Sequence, residues 1–155
     1  MNKYFLIFFV LLTVIGCAPN NEDVQMKEIN NQWGQNQKQT FVFDIKDAEQ
    51  PKNIIFIVRN NNQYPYNNLF LISSFKAEKE KTSKVDTLNY LLAKPTGEWI
   101  GTGFGETKEA LFLYQTQFKF PSNGKYQITL QHGMRTKTLK GIEDIGVKIE
   151  NSTQP

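Results

Sequence analysis

Thiols and imidazoles are almost absent from this chain, which has one cysteine and one histidine among 155 residues. An intramolecular disulfide is therefore impossible. Zinc sets and Cys–His nucleophile pairs lack the side chains they need, so no metal or cofactor is expected. A Ser-His-Asp triad would have to use His132, which stands beside Gly133 at the end of a strand-like run. Past the first residues, no stretch repeats apolar positions at helical spacing for three turns. Charge of one sign is missing too: 18 basic and 15 acidic residues give a formal net charge of +3. So weak a bias excludes nucleic acid as an expected partner and any strong pull toward an anionic surface.

The first residues are different. Lys3 precedes an apolar run from Tyr4 to Leu12 that continues past Thr13 to Ile15, and Gly16 stands before the lone Cys17. A charged start, a short apolar stretch and a small residue before a cut make a secretory signal. The run is too short for a bilayer-spanning helix, which needs ~20 residues. Val14-Ile15-Gly16-Cys17 resembles the bacterial lipobox, in which the cysteine sulfur takes a diacylglyceryl group and the leader is removed. Each buried methylene contributes ~0.8 kcal/mol, so two or three chains on one residue anchor a protein almost permanently. Cys17 is read as that tether. Ala18 lacks the aspartate that retains some lipoproteins at an inner membrane, and the expected place is the outer membrane, facing periplasm or surface.

The domain plan follows. Residues 1–16 form the signal, 17–37 the lipidated cysteine with an Asn/Gln-rich spacer, 38–150 the folded domain, and 151–155 a polar tail. Removing 16 of 155 residues leaves 139, enough for one domain that buries ~70% of its unfolded surface. Trp33 marks where packing begins.

Within the domain, period two dominates. Lys125 to Gln131 alternates polar and apolar strictly, and Phe112, Tyr114, Thr116, Phe118 and Phe120 share one face of another run. Ile145, Val147 and Ile149 repeat the pattern, whereas Ile54 to Val58 is apolar throughout, as in a central strand covered on both sides. Pro121-Ser122-Asn123-Gly124 reads as a hairpin connection. Seven or eight such strands predict an all-β fold, a single antiparallel two-sheet β-sandwich of jelly-roll or immunoglobulin-like type.

Little here carries chemistry. Gly101-Thr102-Gly103-Phe104-Gly105-Glu106 has the glycines of a phosphate loop, but the next apolar run is a strand and not a helix, so it reads as a bend. Asp44, Asp86, Glu98, Glu106, Glu143 and Asp144 are candidate carboxylates, with nothing to select a pair. No small-molecule substrate is identified, and the chain does not read as an enzyme. Candidate contact residues are Tyr64 and Tyr66 around Pro65, with Gly133, Met134 and Arg135, on loops at one sandwich end. The favoured reading is that Pro65 fixes a turn while the tyrosines cap the sandwich edge; if both rings point outward instead, the alternative function is binding of carbohydrate, as a glycan-capturing surface lipoprotein.

Five stretches taken together point further: residues 59–71 (RNNNQYPYNNLFL), 86–93 (DTLNYLLA), 97–106 (GEWIGTGFGE), 120–135 (FPSNGKYQITLQHGMR) and 141–150 (GIEDIGVKIE). In order and spacing they resemble the GldH family of gliding motility lipoproteins. That resemblance implies a non-catalytic, membrane-tethered accessory of gliding and of the linked outer-membrane secretion and adhesin-display machinery. Its implied partners are the membrane, through Cys17, and envelope proteins. It supplies no catalytic residues, and only Cys17 transfers as a functional position.

Replacing Cys17 by Ser should abolish lipid attachment and leave a soluble or unprocessed precursor. Labelling cells with a fatty-acid probe measures this; equal labelling of both proteins would contradict it.

Overall fold

A chain with no disulfide must be held by what it buries, and here alternating strands supply two apolar faces. The structure, a computed structural model, describes residues 22–152. Ten strands run in chain order: β1 (Glu22–Glu28), β2 (Gln32–Gly34), β3 (Gln39–Ile45), β4 (Lys52–Asn60), β5 (Asn68–Ala77), β6 (Lys84–Leu91), β7 (Lys108–Phe118), β8 (Gly124–His132), β9 (Thr138–Lys140) and β10 (Ile142–Asn151). One four-stranded sheet has the order β1-β10-β4-β7 and the other β3-β8-β5-β6, with β2 and β9 forming a short ladder. Among the described residues all pairings are antiparallel, and β5 and β6 are the only consecutive strands that pair. Chain neighbours otherwise lie in different sheets. This is the jelly roll, so the immunoglobulin-like alternative falls away.

The core lies between the sheets. Ile54, Phe56 and Val58 of β4 face Phe41, Phe43, Ile128, Leu130, Leu69 and Leu71 of the opposite sheet, and all are buried. Ile57 is also buried although it lies on β4's other face, which is why this strand is apolar without alternation. Both flanks are fastened. Gln25 Nε2 donates to Val42 O at 2.7 Å across the β1–β3 side. On the other side Phe112 stacks on Tyr90 at 4.3 Å, and the Tyr114 hydroxyl donates to Asp86.

Three expectations need correction. The spacer expected over 17–37 holds β1 and β2 from residue 22 onward, and Trp33 is completely buried with its indole N–H on Gln37 O at 2.8 Å. Composition misled because β1 is an edge strand: Gln25 and Lys27 turn toward β3, so only Val24 and Met26 are apolar. Cys17 lies outside the described residues. At the other end, Asn151 belongs to β10 and accepts from the buried Lys52 ammonium at 2.6 Å, so the polar tail expected over 151–155 starts later.

The second correction is Pro121–Gly124, which joins no hairpin. β7 and β8 lie in different sheets, and the connection arches across the sandwich end. It is pinned by the Tyr126 hydroxyl on Ser122 O at 2.8 Å and by Asn123 Oδ1, which accepts from Ala48 N at 2.8 Å. The third is Thr116, which is exposed. Gln117 takes a φ of 50° and the β4–β7 register shifts beside it, a bulge that breaks the alternation.

Trp33→Ala should cost about 3–5 kcal/mol, the usual range for emptying a large aromatic site, measured by denaturant unfolding. A chain starting at residue 38 loses β1, β2 and this indole. It should show no cooperative transition, whereas one starting at residue 22 should.

Candidate functional site

Strand direction sorts the loops. β4, β6 and β8 end where β5, β7 and β10 begin, so the segments 61–67, 92–107 and 133–137 gather at one end of the sandwich. The start of β1, opposite Glu150, lies at the other end.

The loop after β4 is built rigidly. Asn61 is buried, and its amide donates to Asn31 Oδ1 at 2.7 Å and Glu143 Oε1 at 2.9 Å, while its Oδ1 accepts from Gln63 N. The other Glu143 oxygen accepts from the Thr107 hydroxyl at 2.6 Å. Gly141, at a φ of 79°, lies under this loop; a Cβ there would come within 2.2 Å of Tyr64 N. Backbone contact this close requires glycine.

The two tyrosines consequently separate. Tyr64 is buried, its hydroxyl donates to Asn68 O at 2.7 Å, and burial and then its neighbour Tyr66 push its pKa up. The outward arrangement of both rings, on which the carbohydrate alternative depends, does not hold for Tyr64, which instead supports Tyr66 edge-on at 5.8 Å and lies 6.4 Å from Trp99. Tyr66 is 40% exposed. With Phe70, Gly133, Met134 and Arg135 it lines an open, mainly apolar pocket of about 430 Å³. Met134 is buried in its wall and its sulfur accepts from Phe70 N at 3.3 Å. Arg135 is exposed at the rim. Sequence reading placed Tyr66, Met134 and Arg135 at one end but missed Phe70, whose ring is 37% exposed. Its signal was an apolar residue at an outward position of β5, hidden inside the continuous run Leu69 to Ile72.

His132 lies beneath this end but not in the pocket. It is 1% exposed, packs edge-on against Trp33 at 5.5 Å, and neither ring nitrogen has a hydrogen-bond partner among the described residues. Burial pushes its pKa down, with the Trp33 backbone acting in the opposite sense. Four of the six candidate carboxylates have structural partners: Asp86 has Tyr114 and Lys84, Glu98 has Lys94, Asp144 has Arg59, and Glu143 is committed to the loop. The Tyr114 hydroxyl is the main cause of the lowered Asp86 pKa. Among the described residues no three His, Cys, Asp or Glu side chains are grouped to hold a metal ion. After Gly105 the chain enters β7, and Thr102 bridges back to Glu109, so the glycine run is a bend and not a helix entry.

A jelly roll with an apolar pocket among its end loops defines a β-sandwich domain. The chain belongs to the GldH lipoprotein family, whose model matches residues 23–149. It is 35% identical over 162 residues to a gliding motility lipoprotein GldH homolog of Christiangramia forsetii, covering 98% of this chain and 99% of that one. To gliding motility lipoprotein GldH of Flavobacterium johnsoniae it is 31% identical over 152 residues, with 94% of each covered. Among solved structures, the CBM35 of Cellvibrio japonicus Abf62 aligns at 10% identity and a TM-score of 0.37, covering 86% of this chain and all of that one. Dimeric latent PorU of Porphyromonas gingivalis aligns at 10% identity and 0.35, covering 86% of this chain and 13% of that one. Likeness at this level carries no functional argument.

The His132 shift has a definite sign. A base held neutral below its ordinary pKa of 6.5 is protonated more readily in the unfolded chain. Stability should therefore be fully present above about pH 6.5 and decline as pH falls through that value. Unfolding midpoints between pH 7.5 and 5.5 should drop for the native chain and stay flatter for His132→Phe; parallel slopes would refute the assignment.

Proposed function

We propose that this protein is a non-catalytic, lipid-tethered component of the outer-membrane machinery for gliding and for the linked secretion and display of surface adhesins. The observation that carries this reading is the pocket of Tyr66, Phe70, Met134 and Arg135, at the sandwich end opposite the start of β1. With the lipid on Cys17, five residue steps reach Glu22, a span of at most ~17 Å. The anchor then holds the β1-entry end close to the bilayer. The strands between the two ends run about ten residues, so the pocket is presented roughly 30 Å farther out. Confinement to that layer raises the effective concentration toward envelope partners in the same membrane, and modest contacts suffice.

Exposed aromatics in an apolar pocket are what protein contacts use as anchors, with arginine at the rim. The same two rings also favour the second reading, stacking on a captured glycan, which polysaccharide retention by the protein would test.

Deleting the gene in a gliding host should stop spreading and reduce surface adhesin. The Tyr66→Ala/Arg135→Ala chain, altered only at exposed side chains, should accumulate normally yet restore neither. Normal spreading and adhesin in the deletion strain would overturn the assembly role.

A further inference from the structure

The pocket continues into a second feature. On the outer face of the β3-β8-β5-β6 sheet lies a shallow trough of about 370 Å³, with Thr40, Thr129 and Ser74 in one cross-strand row. The two threonine hydroxyls are 3.1 Å apart. Lys38, Lys76 and Lys81 line the trough, and no carboxylate does. Among the described residues none of these three lysines forms an ion pair. The outward row of β5 links the two, Phe70 lining the pocket and Ile72, Ser74 and Lys76 the trough, with Gly133 beside Phe70 and Ile72. A Cβ there would stand 3.3 Å from Phe70 Cβ and 3.5 Å from Ile72 Cγ1, so any larger side chain would rise between them. Its absence leaves one path from Arg135 and Tyr66 at the loop end to Lys76.

We infer that this path receives an extended acidic peptide, an aromatic or branched apolar residue filling the pocket and carboxylates lying over the lysines. The inference rests on the tethered-scaffold reading and names the chemistry of its partner. Charge complementarity selects an acidic occupant, because ammonium groups without an ion-pair partner gain most from one. An extended chain suits the geometry. Phe70, Ile72, Ser74 and Lys76 point outward from β5 at a step of roughly 6.7 Å, the same step at which alternate residues of a strand repeat on one face. β8 and β5 have paired neighbours on both sides, so recognition comes from side chains and not from edge hydrogen bonds. An acidic saccharide could also stack on the rings and offer carboxylates to the trough, but the strand-like step of the outward β5 row favours the peptide.

The test uses full-length protein in detergent and a fluorescent peptide of about eight residues, one phenylalanine followed by alternating aspartate and serine. Anisotropy should show binding that weakens as salt rises. It should weaken about tenfold in Lys76→Glu/Lys81→Glu, whose fold is checked by circular dichroism, and comparably when the probe's aspartates become asparagine or its phenylalanine becomes serine. Polygalacturonate should compete poorly. Equal binding of aspartate and asparagine probes, or tighter binding of polygalacturonate, would overturn the inference in favour of an uncharged or a saccharide ligand. Absence of peptide binding while Tyr66→Ala/Arg135→Ala still fails to restore spreading would sink the acidic assignment alone and leave the scaffold role standing.

Discussion

Everything in this molecule depends on two sheets burying each other's inner faces, because no covalent cross-link or metal site among the described residues shares the work. On one side Phe112 stacks on Tyr90 across the two sheets, and Phe56 stacks on Tyr114 within one of them. Near one end Phe75, Phe118, Phe120 and Tyr126 close the interior edge-on and face-on. Aromatic pairs of this kind add ~0.5–1.5 kcal/mol beyond their burial and hold a defined geometry. A core so constrained turns its end loops into fixed positions.

That rigidity makes the end pocket meaningful. Tyr64 is given up to the interior so that Tyr66 has a wall behind it, and Asn61, Asn31 and Glu143 hold the backbone beside them. Side chains held in place before a partner arrives lose less freedom on binding, which favours affinity. His132 shows the cost of the same packing. It is buried without a hydrogen-bond partner among the described residues, which favours its neutral form and ties stability to pH.

Much was legible in the residues themselves. Alternation in Lys125 to Gln131 and Ile145 to Ile149 marks strands because side chains of a strand point to opposite faces, a local rule independent of partners. The all-β class, the central place of β4 and the bend at Gly101 to Gly105 follow from such local signals. β1 did not show, because an edge strand flanking a second sheet needs few apolar residues, and its two are separated by polar ones. Thr116 was assigned to the wrong face because a single left-handed residue, Gln117, ends the alternation on which the reading relied.

By itself the sequence determined the strand-rich class and the family, since each is written in contiguous residues. Tertiary structure alone decided which strands pair, and hence that Pro121 to Gly124 crosses between sheets, that Tyr64 is interior, and that Phe70 joins Met134 and Arg135 in one pocket. Pairing in a jelly roll is almost wholly non-local, and the period that marks a strand carries no information about its neighbour. Which side chains share an end of the sandwich is therefore set only when both sheets close.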